Sequence, residues 1–480
     1  MNKSSYLHIS RCISDSIFRL ISDSAHESGV EVYVIGGYVR DCLMERNHDN
    51  KDIDIVVKGS GIDLAKKVAG QISPRIKVTV YKNFGTAMFR ARGHIIEFVG
   101  ARKESYSRDS RKPVVEDGNL EDDQNRRDFT INAMAISLNR ETYGQLIDPF
   151  DGIFDLENRI IRTPLEPGRT FSDDPLRMMR AIRFAAQLDF YIYPETFESI
   201  KDNSGRISIV SSERITAELN KILLCQKPSV GFSLLYDTGL LEIILPEVHR
   251  LKGVEKKAKH GHKDNFEHTL QVVDNISKKS NSLWLRWAAL LHDIAKPKTK
   301  KYFEGTGWTF HGHEFIGSKM VPGIFKRLKL PLGDEMKYVS NLVALHLRPI
   351  TLAQETVTDS AIRRLLFDAG DTIDDLMMLC EADITSKNEK KVKQHLQNFM
   401  IVRQKLIEIE QKDHIRNFQP PIGGNEIIRI FNIKPGRQVG YLKDSIKEAI
   451  LDGIIPNNYE AAKDFLILKA AEIGLKPVSG

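Results

Sequence analysis

Residues 32–57 read VYVIGGYVRDCLMERNHDNKDIDIVV, where two runs rich in β-branched residues flank a Gly-Gly turn and a short helix-like segment. Such runs predict two buried strands. Gly36 and Gly37 would let a phosphate approach backbone N–H groups at the start of the helix, and Arg40 adds a planar set of donors. A Gly-Gly pair is often only a structural turn, so this motif alone leaves both interpretations open.

The second strand of this segment carries two carboxylates. Because strand side chains alternate between faces, Asp52 and Asp54 point one way while Ile53 and Ile55 point into the core. Two carboxylates on one face form a hard-oxygen site suited to Mg²⁺, the ion that phosphoryl transfer needs. A solvated strand face is the alternative. Glu97, in the strand-like run 95–99, is either the third catalytic carboxylate of this site or an exposed strand residue.

The rest of the sequence predicts an α+β protein. A further strand is predicted over 77–80, and residues 63–70 can form a helix. Residues 103–124 are polar and charged, contain Pro113 and Gly118, and predict a long mobile loop. From Pro175 onward the spacing of apolar residues is helical.

Two arginine-rich segments lie between these regions. RRDFTINAMA occupies 126–135 and places two adjacent arginines before an apolar run. DDPLRMMRAIRF occupies 173–184 and places arginines three apart on one helix face, at Arg177, Arg180 and Arg183. A stripe of this kind is usually a solvated, ion-paired face. Here the residues between the arginines are apolar, which favours the wall of a cleft.

The second half of the chain contains a spaced series of histidines and aspartates. The adjacent pair His292-Asp293 offers an imidazole and a carboxylate to one cation. A single histidine is more often satisfied or exposed, whereas the ordered set favours a divalent metal centre. The set resembles that of HD phosphohydrolases, and this resemblance implies His268, His292, Asp293, His313, His346 and Asp383 as the ligands. The alternative is a helical scaffold that has kept these residues without activity.

Composition sets broad limits on the protein. A length of 480 residues predicts several domains, and the net charge of +6 is compatible with a polyanionic partner without demonstrating one. Four scattered cysteines, Cys12, Cys42, Cys225 and Cys380, predict reduced thiols and not a disulfide framework or a zinc site. No long apolar segment occurs in the sequence. We therefore expect a cytoplasmic protein with no membrane partner.

In their order and spacing, these motifs resemble the bacterial class II tRNA nucleotidyltransferase and poly(A) polymerase family with a C-terminal HD domain. The resemblance rests on the Gly-Gly turn, Asp52-x-Asp54, RRDFTxNA and DDPLR, and covers roughly residues 30–250 in motif detail. It implies a DNA polymerase β-like head followed by a helical neck and body, an HD domain and a helical tail. Asp173 departs from it, because the family usually has Glu there. The segment after Glu97 also departs from the Thr-Phe-Arg ending of many relatives.

The resemblance implies a role for each matching residue. Asp52 and Asp54 would hold catalytic Mg²⁺. Gly37 and Arg40 would meet the triphosphate, and the nucleotide would be met near its sugar by Arg127, Asp128 and Asn132. Asp174 and Arg177 would read the incoming base, supported by Arg180 and Arg183. The predicted parts of the chain are an N-terminal helix (1–30), the head (31–150), the neck and body (151–250), the HD domain (260–395) and the tail (400–480).

The expected activity is template-independent addition of CCA to the 3′ end of tRNA, with ATP and CTP as substrates. The HD domain would add metal-dependent hydrolysis of phosphate esters. Addition of A alone and a poly(A) polymerase are the alternatives within the family. The segment NFGTAMF at 83–89 resembles the CCA-adding side more than the poly(A) side. An HD phosphohydrolase with an inactive transferase head is the alternative from another class.

Overall fold

The computed structural model describes residues 10–46, 52–82, 85–107, 110–253, 256–257, 260–261, 264–353, 358–386, 388–416 and 418–478. Asn83 and Phe84 of the segment compared with poly(A) polymerases lie outside this range. The chain divides into two compact units, one of residues 1–225 and 230–244 and the other of residues 226–229 and 245–480. The finer division into five parts stays a prediction.

The first unit is built on a mixed β-sheet. Within the described residues its strands follow the order β3-β4-β5-β2-β1-β8-β9. The strands are β1 (Glu31–Ile35), β2 (Asp52–Lys58), β3 (Thr79–Tyr81), β4 (Thr86–Ala91), β5 (His94–Gly100), β8 (Ala135–Ser137) and β9 (Leu146–Ile147); β6 (Arg102–Ser107) and β7 (Ser110–Asp117) form a separate hairpin. β2 pairs antiparallel with β1 and parallel with β5. The predicted α+β class is therefore confirmed.

The first helices of the chain pack against this sheet, and further helices follow up to residue 244. They are α1 (Ser16–Glu27), α2 (Gly37–Leu43), α3 (Gly61–Ile72), α4 (Leu120–Asn125), α5 (Gly152–Glu157), α6 (Pro167–Asp173), α7 (Leu176–Leu188), α8 (Pro194–Asn203), α9 (Ser212–Leu223), α10 (Pro228–Asp237) and α11 (Leu240–Ile244). Short strands β10 (Ile160–Ile161) and β11 (Tyr191–Ile192) pair in parallel. The core of the head is apolar: Ile53 and Ile55 of β2 are fully buried with Phe18 and Phe98. That burial leaves the opposite face of β2 to Asp52 and Asp54.

The prediction of a long mobile loop over residues 103–124 is wrong. β6 and β7 pair antiparallel across this segment, and α4 follows them. Asn119 caps α4 by accepting from the backbone N–H of Asp122, whose side chain accepts in return from the N–H of Asn119. Polar composition reports contact with solvent and not the absence of a strand, because a hairpin satisfies its backbone groups between its own strands.

The second unit is mainly helical. Its helices are α12 (Pro246–His249), α13 (Asn265–Ser277), α14 (Leu283–Leu291), α15 (Lys296–Thr299), α16 (His313–Leu328), α17 (Asp334–Leu345), α18 (Arg348–Leu352), α19 (Asp359–Ala369), α20 (Ile373–Asp383), α21 (Glu389–Asp413), α22 (Gly424–Phe431), α23 (Arg437–Leu451) and α24 (Tyr459–Glu472). Two small hairpins join them, β12 (Lys256–Lys257) with β13 (His260–Gly261) and β14 (Lys301–Phe303) with β15 (Gly307–Thr309). In the described parts of the chain, no helix combines the length and apolar character needed to cross a bilayer.

The cysteine prediction is wrong for one pair. Cys12 and Cys42 form a disulfide; their Cα atoms are 5.7 Å apart, and the two residues are 30 positions apart in sequence. Their spacing gave no hint of it, because the bond depends on the segment before α1 packing beside α2; the Tyr38 hydroxyl donates to the carbonyl of Cys12 at 2.8 Å. Cys225 and Cys380 form no disulfide, in agreement with the predicted reduced thiols, and both are buried.

Reduction of this disulfide is expected to lower the free energy of unfolding by about 3 kcal/mol, because the unfolded chain regains the conformational freedom that the closed loop had removed. Urea unfolding of the wild type with and without a thiol reductant measures the difference. A Cys12→Ser, Cys42→Ser variant serves as the control, since reductant should leave its transition in place. An identical transition for the oxidised and reduced wild type would show that the bond does not stabilise the fold.

Candidate active site and candidate metal centre

Three carboxylates lie on adjacent strands of the head. Asp52 and Asp54 share one face of β2, and the parallel register between β2 and β5 places Glu97 beside Asp54. Burial raises the pKa of Asp54; Asp52 raises it further, whereas Arg127 works against both. The pKa of Glu97 is also raised, by burial and then by Asp54 and Asp52. Crowded carboxylates of this kind are eased by a cation, and their oxygens are the ligands that Mg²⁺ prefers.

The turn between β1 and α2 approaches these carboxylates closely. Gly36 has φ 86°, a left-handed conformation that glycine adopts readily. A Cβ atom at this position would lie 2.7 Å from Nη1 of Arg127 and 3.2 Å from Oδ2 of Asp54. Gly36 is therefore needed both for its backbone conformation and for the space that the arginine and the carboxylate occupy.

A hydrogen-bonded network connects α2, the RRDFTINA segment and α7. Arg40 Nη1 donates to Asn132 Oδ1 at 2.7 Å, and Asn132 Nδ2 donates to Asp128 Oδ1 at 2.9 Å. Arg180 Nε donates to the other oxygen of Asp128 at 2.7 Å. Burial alone would raise the pKa of Asp128, but Arg180 and Asn132 lower it to about 2. Asp128 is therefore ionised, and it holds Arg180 and Asn132 directly and Arg40 through Asn132.

These groups enclose a cavity of about 670 Å³ in the first unit. Nine residues predicted from the sequence line it: Gly37, Arg40, Asp52, Asp54, Arg127, Asp128, Asn132, Arg180 and Arg183. Further lining residues that the sequence did not single out are Tyr38, Asp41, Arg46, Phe184, Gln187 and Lys221. The cavity thus has carboxylates on its strand side and cations on its helical side. Such a space could hold a nucleoside triphosphate with a cation.

The predicted base-reading residues lie outside this lining. Asp174 precedes α7, and its two oxygens accept from Arg214 at 2.8 and 3.4 Å. Asp174 Oδ1 also accepts from the backbone N–H of Leu176 at 3.2 Å, which is a contact of the helix-capping kind. Arg177 Nη2 donates to the carbonyl of Arg126 at 2.6 Å. Both side chains are therefore anchored within the structure.

Three charged residues that hold predicted site residues or their neighbours in place were not found from the sequence. Glu218 is buried on α9 and accepts from Arg183 at 2.6 Å. Arg214 donates to Asp174. Asp123 forms ion pairs with both Arg126 and Arg127. Asp123 could have been found, because it stands three and four residues before the two arginines, the spacing of neighbours on a helix. Arg214 and Glu218 gave no signal, since their partners are distant in sequence.

The histidines of the second unit are oriented as metal ligands. Nδ1 of His292, His313 and His346 lies 2.7, 2.7 and 2.8 Å from the backbone carbonyl three residues earlier. The carbonyl can only accept, so each Nδ1 donates its proton there, and Nε2 is the ring atom that faces the other side chains of the site. All three Nε2 atoms are buried, and among the described residues none of them has a hydrogen-bond partner of good geometry. A cation is the partner that such atoms fit.

Two groups of potential ligands form there. One contains His268, His292 and Asp383, and the other Asp293, His313 and His346. Asp293 connects them, since its Oδ2 lies 3.2 Å from Nε2 of His292 and its Oδ1 lies 3.2 Å from Nε2 of His313. Burial by itself would lower the pKa of His292, but Asp293 and Asp383 raise it to about 10. Asp293 and Asp383 therefore stabilise positive charge at this site, which a bound metal would supply. The structure brings all six predicted ligands together.

Comparisons with known families agree with this architecture. Residues 32–162 match the family described as "Poly A polymerase head domain", and residues 189–252 match "Probable RNA and SrmB- binding site of polymerase A". Residues 265–388 match "HD domain". The three matches follow the order that the sequence motifs predicted.

Individual relatives cover most of the chain. An A-adding tRNA nucleotidyltransferase of Deinococcus radiodurans is 31% identical over 352 residues, covering 72% of this chain and 78% of the relative. A multifunctional CCA protein of Tolumonas auensis is 33% identical over 377 residues, covering 74% and 84%. The crystal structure of the Bacillus stearothermophilus CCA-adding enzyme in complex with CTP superposes with a TM-score of 0.66 at 24% identity, covering 96% of this chain and 99% of that one. That likeness establishes the shared fold.

The fold and the carboxylate-lined cavity define a nucleotidyltransferase that carries an HD domain. Within that class, the chain belongs to the tRNA nucleotidyltransferase and poly(A) polymerase family.

Proposed function

We propose that this enzyme adds C and A from CTP and ATP to the 3′ end of tRNA, completing a CCA terminus without a nucleic-acid template. The observation that carries the proposal is the single cavity in which the β2 carboxylates face the arginines of α2, α7 and the RRDFTINA segment. Relatives named as multifunctional CCA proteins support the choice of substrate. We assign the five predicted parts of the chain as domains of such an enzyme, acting in the cytoplasm, where tRNA and nucleotides meet.

The residues of the cavity divide the work. Asp52 and Asp54, with Glu97 beside them, would hold divalent cations, whose Lewis-acid chemistry stabilises the charge developing on the phosphoryl group. Arg40 and Arg127 bind the triphosphate. Asp128 and Asn132, held rigidly by their hydrogen bonds, contact the nucleotide near its sugar, and Arg180 and Arg183 form the wall behind it.

Addition of A alone is the closest competing activity, because an A-adding relative is 31% identical to this chain. Transcripts of tRNA that end before the first C and after the second C separate the two activities. A CCA-adding enzyme extends the first transcript with CTP alone and the second with ATP alone. Extension of only the second transcript would identify an A-adding enzyme instead. A long A tail on both would identify a poly(A) polymerase.

We further propose that the HD site is a metal-dependent phosphohydrolase acting on phosphate esters or cyclic phosphodiesters. The buried Nε2 atoms of His292, His313 and His346 support it, because they belong to two adjoining groups of potential ligand atoms that Asp293 connects. The metal would be held by the six clustered residues and would polarise the phosphate. A helical scaffold without activity is the alternative.

Changing both His292 and Asp293 to alanine is expected to abolish hydrolysis of 2′,3′-cyclic phosphates, because Asp293 belongs to both ligand groups. Nucleotide addition should survive, since its residues lie in the other unit. Hydrolysis is measured with Mg, Mn, Ni and Co in turn. A wild type inactive with all four metals on cyclic phosphates and simple phosphate esters would favour the scaffold.

A further inference from the structure

A buried carboxylate stands behind the arginines of the candidate active site. Asp123 on α4 is 0% exposed and does not line the cavity. Its Oδ1 accepts from Nε of Arg126 at 3.0 Å, and its Oδ2 accepts from Nε of Arg127 at 3.1 Å. A fully buried carboxylate persists as an anion only when it is paired, and these two guanidinium groups are its partners.

The contact with Asp123 determines where Arg127 points. A guanidinium group is planar, so holding Nε fixes the direction of both Nη atoms. Nη1 of Arg127 lies against the Gly36 turn, at the position where a Cβ atom of Gly36 would come within 2.7 Å of it. Arg127 reaches the cavity on the same side as Asp54. The inner edge of Arg127 is therefore held by Asp123, and its outer edge faces the turn and the carboxylates.

The backbone around Asp123 is itself fixed. The reciprocal contacts between Asn119 and Asp122 begin α4, and Gln124 Nε2 donates to the carbonyl of Ala133 at 2.8 Å. On the other side, the carbonyl of Arg126 accepts from Arg177 at 2.6 Å. A carboxylate on so well-anchored a turn can hold a side chain in one geometry.

We propose that Asp123 is a positioning residue for nucleotide binding: it holds Arg127 toward the triphosphate without touching the nucleotide. The inference rests on the proposed nucleotidyl transfer. An asparagine at this position would keep the volume but lose the charge, and could accept through only one oxygen. Arg127 would then lose a charge-assisted hydrogen bond and adopt several orientations.

The test compares Asp123→Asn with Asp155→Asn. Asp155 is also buried and is paired with Arg162 and Thr130, neither of which lines the cavity. Asp123→Asn should raise KM for both CTP and ATP about tenfold, with kcat changed far less, and should weaken binding of a non-hydrolysable CTP analogue, measured by calorimetry, to the same degree. Asp155→Asn should lose stability and leave KM and analogue affinity near the wild-type values.

Two further variants show whether Asp123 acts through Arg127. In an Arg127→Ala background, Asp123→Asn should add little to KM, because the group it positions is gone. Arg127→Lys keeps the charge but not the planar geometry, so it should raise KM about as much as Asp123→Asn; it also provides the test if Asp123→Asn does not fold. A wild-type enzyme that fails to extend tRNA refutes the proposed function. A wild type that extends tRNA, beside Asp123→Asn or Arg127→Lys variants with unchanged KM and affinity, refutes the positioning role alone.

Discussion

Replacing Asp54 with alanine is expected to lower nucleotide incorporation by about three orders of magnitude or more, because the reaction depends on charge stabilisation at this position. Asp54 follows Asp52 on the same strand face, lies beside Glu97 on the neighbouring strand and is close to Arg127. Its loss therefore removes the central carboxylate of the site. Asp52→Ala should have an effect of the same kind. Incorporation of labelled CTP into tRNA, in single-turnover conditions, measures the change.

Two controls separate a catalytic loss from a folding loss. Asp54→Asn keeps the shape of the side chain and removes its charge. This variant should be nearly as inactive as Asp54→Ala, and it should unfold at a urea concentration similar to that of the wild type. Binding of tRNA should stay close to wild type in all three variants, because the change is confined to the carboxylates. Substantial activity in Asp54→Ala would show that the β2 carboxylates are not the catalytic site.

The second large effect concerns base choice. Changing both Asp174 and Arg177 to alanine is expected to reduce the preference for CTP and ATP over UTP and GTP. Cytosine and adenine each present an amine donor beside a ring-nitrogen acceptor, which a carboxylate and a guanidinium complement. Uracil and guanine present the reverse order and would leave these groups mispaired. Sites of this kind discriminate by as much as on the order of 10⁴-fold.

The contacts in the structure leave capacity for this reading. A carboxylate accepts about four hydrogen bonds; among the described contacts, Asp174 receives two from Arg214 and one from the N–H of Leu176. A guanidinium has about five N–H donors, and the described contact of Arg177 is one donation to the carbonyl of Arg126. The same contacts hold both side chains outside the cavity lining, so base reading requires the nucleotide and the start of α7 to move closer together.

A capping role for Asp174 predicts a different outcome. Loss of a cap lowers the free energy of unfolding by about 1 kcal/mol and leaves base choice unchanged. Asp15 is the matched control: it caps α1 by accepting from the N–H of Ile17 at 2.8 Å, the same two-residue spacing as Asp174 and Leu176. Asp15→Ala should lose stability alone. An unchanged preference for CTP and ATP in a folded double variant would rule out the template role.

Local patterns predicted the head well where side-chain alternation controls burial. The second of the two buried strands predicted within 32–57 is β2, which extends over Asp52–Lys58 with its isoleucines buried and its aspartates on the opposite face. The ordered histidines and aspartates likewise meet in one cluster. In both regions the residues that carry chemistry stand on regular elements, whose periodicity is visible in the sequence.

Features that depend on distant partners were not predictable from local pattern. The hairpin of β6 and β7 is a local feature and was missed for another reason, because its polar composition hid the pairing of its backbone. The bond between Cys12 and Cys42 and the grip of Arg214 on Asp174 each join segments that meet only in the folded chain. The outer wall of the cavity, with Arg46 and Lys221, was missed for the same reason.

The most direct test of the account is the sequence of the product. A tRNA transcript lacking its three terminal nucleotides is incubated with the wild-type enzyme, Mg²⁺ and all four nucleoside triphosphates, and its 3′ ends are sequenced. If the enzyme adds CCA, we expect 3′ ends that read CCA and stop there, with U and G excluded. Unextended ends, or ends that carry only A, would contradict it.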